Sequence, residues 1–193
     1  SQKFLDNEFP HCIEMARAFV QPKYQSAAGG RKALFALDNL WDGIGGLIAT
    51  DPTVKYLSGK VTIYSTSPEM SRKAMVYYLD MSFGDREGLI TSKNPETCTP
   101  EQIAFFKELF TGADYKENYA ILNNYVKSLG DSIPPFIHLY IGLSPTMKTF
   151  GTTFDPDFGD CYDTAMIITT DDIYPDKYKR YVESYEKCKV RKC

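Results

Sequence analysis

Histidine is scarce in this 193-residue chain, with only His11 and His138 present. No serine or cysteine sits in a G-x-S-x-G elbow, so a serine-hydrolase reading has little to stand on. The five cysteines (Cys12, Cys98, Cys161, Cys188 and Cys193) are odd in number and lack C-x-x-C or histidine-linked spacing. That pattern fits reduced thiols better than a disulfide frame or a zinc site, and no metal is expected. No apolar run is long enough to span a bilayer, although 43% of residues are hydrophobic. Net charge is only −3, which gives nucleic-acid binding no support outside the short basic stretch 187–192. That stretch reads as a solvated helix end, with weak contact to anionic lipid as the livelier alternative. Neither a signal nor a transit composition is present, so the expected location is cytoplasmic, with the inner membrane surface as the variant. Repeats and low-complexity linkers are lacking too, and residues 1–193 read as one domain of a size that can bury a core.

The most informative stretch runs from Glu14 to Gly30. Met15, Ala18, Phe19 and Val20 have strand character, Pro22 breaks the run, and apolar spacing at Leu34, Leu37, Trp41, Ile44 and Ile48 predicts a helix from Arg31 onward. Asp51-Pro52 ends that helix, because the residue before proline is pushed out of the α region. A second strand is expected at 60–64. Ser67-Pro68-Glu69 then reads as an N-cap, a proline at the first helical position and an acid in the first turn, opening a helix striped by Met70, Ala74, Met75, Tyr78 and Leu79. Strand, helix, strand, helix is the signature of a layered α/β sheet.

Residues 84–94 are polar and irregular. Thr99-Pro100-Glu101-Gln102 nears a capping box, the spacing Tyr115, Tyr119, Leu122, Val126 with Gly130 marks another helix, and Ile133-Pro134-Pro135 starts a third with Phe136, Leu139 and Tyr140 inward. The last third predicts strands at 147–154 and 161–170 around a turn-rich linker, paired antiparallel. Asp155, Asp157, Asp160 and Asp163 suggest calcium, but lack the glycine and distal glutamate of the twelve-residue loop, so they read as a turn. A final helix is expected at 175–187, packing Tyr178, Tyr181, Val182 and Tyr185.

Gly29 and Gly30 stand where a helix N-terminus begins. Backbone N–H groups there lack intrahelical partners, and without side chains in the way a phosphate can be held by several amides and the helix dipole, with Arg31 adding a charge. The competing reading is ordinary turn chemistry. The spacing Gln25-x-x-Ala28-x-Gly30 resembles the (Gln/Arg)-x-x-Gly-x-(Gly/Ala) pyrophosphate loop of the GNAT acyltransferases, with alanine in place of the central glycine. Glu14-x-x-Arg17-x-Phe19-Val20 is similar to the Glu-x-x-Arg-Phe strand of the acyl-homoserine-lactone synthases and the related lipoamino-acid N-acyltransferases. The segments from Tyr56 to Leu79 and from Ile133 to Ile173 resemble the same family, often labelled hemolysin or GNAT-like N-acyltransferase, over nearly the whole chain.

The resemblance implies a GNAT-like mixed sheet flanked by helices, with a helical insertion and a C-terminal antiparallel strand pair. It implies a fatty, or 3-hydroxy, acyl group moved from acyl carrier protein or coenzyme A to the amine of a small amino acid such as glycine or ornithine in lipid biosynthesis, with no permanently bound cofactor. Phe19, Val20, Gln25, Ala28, Gly29, Gly30 and Arg31 would hold the donor. Glu14 would take the proton of the attacking amine, its competing role being a salt bridge with Arg17. Three apart on a strand, the two would face opposite ways. Arg17 would clamp an amino-acid carboxylate, its competing role being a solvent-facing strand arginine. Relatives carry several strands and two helices ahead of the segment at Glu14, where only thirteen residues stand here. The expectation is therefore a C-terminal part of a longer protein, or a reduced member whose exposed sheet edge favours a homodimer. Tyr77, Tyr78, Phe136, Tyr140 and Phe150 are weighed as an acyl tunnel against simple core. A non-catalytic acyl-carrier or lipid-binding module is the rival function.

Overall fold

The computed structural model describes residues 1–17, 20–22 and 36–185. The chain opens with α1 (Gln2–Asn7), a 3-10 turn (Phe9–His11) and β1 (Cys12–Met15), and continues with α2 (Ala36–Thr50), β2 (Tyr56–Tyr64) and α3 (Glu69–Phe83). Three helices follow: α4 (Pro100–Leu109), α5 (Tyr115–Ser128) and α6 (Pro135–Ile141). Then come β3 (Lys148–Asp155), β4 (Cys161–Thr169) and α7 (Pro175–Tyr181). The four strands form an open mixed sheet in the order β1-β2-β4-β3, with β1 parallel to β2 and the remaining pairs antiparallel. This is the mixed α/β sheet flanked by helices that the sequence leads one to expect, with the helical block α4–α6 inserted before the antiparallel pair.

Side chains alternate across the sheet, and the register makes the two faces different. Leu57, Val61 and Ile63 of β2 and Met166 and Ile168 of β4 point into the main core, where they meet Ala74, Met75, Tyr78 and Leu79 of α3, Leu122 and Val126 of α5, and Tyr140 of α6. Ile167, one residue out of phase, belongs with Phe4, Leu89 and Phe150 in a small second cluster on the other face. Near Glu14 that second face is polar.

Local signals held where they are local. Thr99 and Gln102 form the reciprocal capping box, with Thr99 N–H donating to Gln102 Oε1 at 2.9 Å. Gly130 takes φ +74°, the left-handed conformation that follows a helix end. Four expectations are corrected. The strand containing Glu14 ends at Met15, and Arg17 adopts φ +56°, so Arg17 lies on a turn rather than opposite Glu14 on a strand. The second strand starts at Tyr56, four residues early, because its first half is paired on both sides. Pro68 is extended (ψ 140°) and occupies the capping position itself, so α3 begins at Glu69 without a side-chain cap from Ser67. The five aromatics do not line one tunnel: Phe150 packs on Phe4 on the second face, while Tyr77 stacks on Phe110 at 5.8 Å within the helical layer.

Candidate active site

The parallel ladder between β1 and β2 is only four residues long, from Cys12↔Tyr56 to Met15↔Gly59. β2 continues for residues 60–64, still paired with β4 as far as Tyr64↔Cys161. Beyond Met15 the two strands part, and Arg17 carries the left-handed dihedral that turns β1 away. For a residue with a Cβ this costs about 1–2 kcal/mol, and such outliers concentrate at functional sites.

Glu14 is exposed one residue before the parting point. Its register partner is Ser58, so Lys60 and Thr62 emerge on the same polar face. Asp163 of β4 lies opposite Thr62 and is 8% exposed. Thr62 Oγ1 donates to its Oδ1 at 2.7 Å and Lys60 Nζ to its Oδ2 at 3.1 Å. The Asp163 hydrogen bond holds the Lys60 ammonium above its ordinary pKa, against a lowering by burial, and the charges of Asp163, Asp155 and Glu14 push the same way as that bond. Cys161 shares this face, but burial and then the neighbouring Asp163 carboxylate raise its thiol, which disfavours a thiolate nucleophile.

On the core side of the same point stands Tyr140. A Cβ added to Gly59 would meet the Tyr140 hydroxyl inside 3.0 Å and its Cζ at 3.2 Å, so the glycine makes room for the phenol. Tyr140 packs edge-on to Trp41 at 5.8 Å, and burial lifts its pKa to about 12. Its phenol is protonated at neutral pH, as an ordinary tyrosine's is. Sequence reasoning placed Tyr140 only among core or tunnel aromatics. The available signal was Gly59, since a glycine inside a strand marks a close approach.

Two known proteins are similar to this chain in sequence. It is 43% identical over 188 residues, 97% of its own length, to a glycine N(alpha)-acyltransferase of Phocaeicola vulgatus, and 42% identical over 188 residues to a glycine N(alpha)-acyltransferase of Bacteroides thetaiotaomicron. The alignments take in 57% and 55% of those proteins, so the chain spans about half the length of the curated relatives it matches. No protein-family model matches the chain, and no solved structure matches it.

Glu14 and Arg17 thus sit beside the parting strands, Glu14 on the ladder and Arg17 on the turn beyond it. Val20 is half-buried in the short described piece that follows. Phe19, Gln25, Ala28, Gly29, Gly30 and Arg31 lie outside the described residues, as does the basic stretch 187–192. His138 is exposed on α6 with its ring 5.7 Å from that of Tyr119, and both line an open pocket of about 350 Å³ with Tyr115, Lys116, Tyr174 and Asp176. That pocket is built from α5, α6 and the start of α7, without β1 or β2. Among the described residues no group of three or more His, Cys, Asp or Glu is placed to hold a metal ion, and no helix is long and apolar enough to cross a membrane.

Proposed function

We propose that the chain forms the donor-binding and catalytic part of a GNAT-like N-acyltransferase that acylates the amine of a small amino acid, glycine first among them. The observation that carries this reading is the 42–43% identity, across almost all of this chain, to two proteins of that name. The geometry supports it. The amine nitrogen attacks the thioester carbonyl, a C–N bond forms, the C–S bond breaks, and the thiolate leaves with a proton. Glu14 accepts the proton shed by the ammonium. Arg17, beyond the ladder, offers a planar fork for an acidic group of the acceptor. Tyr140, a neutral phenol resting against Gly59, offers a hydrogen bond from the core side. By the family resemblance alone, Gly29, Gly30 and Arg31, with Gln25, Ala28, Phe19 and Val20, are assigned to the phosphopantetheine of acyl carrier protein or coenzyme A.

Ornithine as acceptor, a 3-hydroxyacyl donor, a role in lipoamino-acid synthesis and the hemolysin label belong to the same family reading. So does a cytoplasmic site of action with contact at the inner membrane surface. Among the described residues β1 is paired on one side only, which leaves an edge for further strands of a longer chain or for a second copy. The partial coverage of the relatives favours a second reading, an acyl-carrier or lipid-binding module that binds donor without turnover.

The test is mass spectrometry of reactions containing the chain, a 3-hydroxyacyl carrier protein or the coenzyme A thioester, and a panel of amino acids, with Glu14→Gln alongside. The expected result is an N-acyl amino acid whose formation falls about 100-fold or more in the variant. Undiminished turnover in Glu14→Gln removes the base assignment, and donor binding without product selects the binding module.

A further inference from the structure

The open pocket between α5, α6 and the start of α7 has a chemistry of its own. About 350 Å³ of space is walled by three phenol rings, Tyr115, Tyr119 and Tyr174, and by the His138 imidazole. Tyr115, Lys116 and Tyr119 come to one side of α5 because residues three and four apart share a helix face. The walls are held from behind. Tyr115 packs edge-on to Phe83 at 5.3 Å, and its carbonyl accepts a hydrogen bond from the Tyr78 hydroxyl at 2.9 Å. Tyr115 and Tyr174 meet through their hydroxyls, and the Tyr174 N–H donates to Leu143 O at 2.9 Å.

The charges decide what such a pocket takes. Aromatic faces are electron-rich and attract a cation within about 6 Å of the ring centroid. The chain already places one there, since Lys116 Nζ lies over the Tyr174 ring at 5.5 Å and over the Tyr115 ring at 5.8 Å. Both distances are near the outer limit, and Lys116 is exposed and forms no salt bridge among the described residues. An ammonium held by ring faces alone is displaceable. Asp176, exposed, shares the lining, and Asp114 stands at the head of α5, its carboxylate accepting from the N–H groups of Lys116 and Glu117. With Lys116 withdrawn, two carboxylates and the ring faces remain.

We propose that this pocket binds a weakly hydrated organic ammonium, a quaternary or methylated amine, and that Lys116 is a strap which the ligand displaces from the rings. The rings replace water around the cation, and Asp176 supplies the counter-charge. Lys116 is itself a compact, strongly hydrated ammonium, so it regains its hydration on swinging into solvent. An anion would gain Lys116 but meet Asp176, Asp114 and the ring faces. A neutral solute of the same shape gains buried area alone. The proposal stands apart from the N-acyltransferase reading, because no residue of β1 or β2 lines the pocket.

The experiment titrates choline, and its uncharged isostere with carbon in place of nitrogen, by saturation-transfer NMR on the wild-type chain, Lys116→Met and Asp176→Asn. Both positions are exposed, so the variants should keep the fold. Choline should bind about tenfold or more tighter than the isostere. Lys116→Met should tighten choline binding several-fold, and Asp176→Asn should weaken it several-fold while leaving the isostere unchanged. Equal affinity for the two probes, no choline binding by the wild type, or weaker choline binding in Lys116→Met overturns the proposal. Benzoate binding that Lys116→Met abolishes also overturns it, by making Lys116 an anion contact. Sedimentation with phosphatidylcholine vesicles separates the sources of the cation. Co-sedimentation reversed by free choline assigns it to a lipid headgroup, and choline binding without co-sedimentation assigns it to a free solute; either result supports the cage.

Discussion

Gly59 and Tyr140 offer the sharpest quantitative test, because they meet where β1 and β2 part. In Gly59→Ala the new methyl would sit inside 3.0 Å of the Tyr140 hydroxyl and 3.2 Å from Cζ, with Met15 O at 3.4 Å. The backbone neighbour is at ordinary contact, so the clash is with the phenol alone. That phenol is pinned, since Tyr140 is 3% exposed and its ring is edge-on to Trp41. Overpacking of this kind costs about 1–3 kcal/mol, and replacing glycine inside a strand returns about 0.5–1 kcal/mol. The net expectation is a loss of up to about 2.5 kcal/mol. Tyr140→Phe removes the oxygen that causes most of the clash, so adding Gly59→Ala to that background should cost less than adding it to wild type. The contact remaining at Cζ keeps part of the penalty. Urea unfolding of wild type, both single variants and the double variant gives the coupling energy, expected at about 0.5 kcal/mol or more. Additive costs within about 0.3–0.5 kcal/mol would show that the phenol and the strand do not touch as described.

Two glycines of α2 give opposite expectations. A Cβ at Gly45 would stand 2.5 Å from the Tyr181 carbonyl carbon, with the oxygen nearer still, whereas at Gly43 nothing lies within 4 Å. Gly45→Ala should lower Tm by about 4–8 °C for a net cost of about 2 kcal/mol, while Gly43→Ala should raise it slightly through helix propensity. Equal effects at the two sites would refute the packing of α2 on α7. Glu87, bridged by Lys148 and Lys3, has its carboxyl pKa lowered to about 2. Because the folded value lies below the ordinary one of 4.5, the stabilisation it lends is present above pH 4.5 and lost as pH falls toward 2. A carbon-detected NMR titration should show the low value, and Lys148→Ala should move it back up. An ordinary Glu87 titration in the wild type would remove the bridge.

What was legible along the chain was what neighbours in sequence decide. Thr99 and Gln102 form a capping box because three residues suffice to close it, and Gly130 ends α5 because only glycine takes its dihedral cheaply. The stripe of α3 and the β3–β4 pair were readable from period and turn chemistry. Glu14 was singled out as an acid on a strand that leads into a glycine pair, and the structure leaves it exposed at the ladder's end. Ser67 was misplaced as a cap by one position because Pro68 fits either role locally. Only its extended ψ in the folded chain decides between them. Arg17 was placed on the strand because local spacing does not show its left-handed dihedral.

The amino-acid order alone thus determined the α/β alternation, the helical block and the acid at the edge of the first strand, all products of short-range propensity and periodicity. The tertiary structure decided the rest. Lys60 reaches Asp163 across 103 residues of chain, and Tyr140 rests against Gly59 because α6 lies over β2. The ladder of β1 on β2 stops at Met15↔Gly59 while β2 runs on against β4 to Tyr64↔Cys161. Such contacts depend on which faces of distant elements meet, and that is set by burying one face of the sheet under α3, α5 and α6.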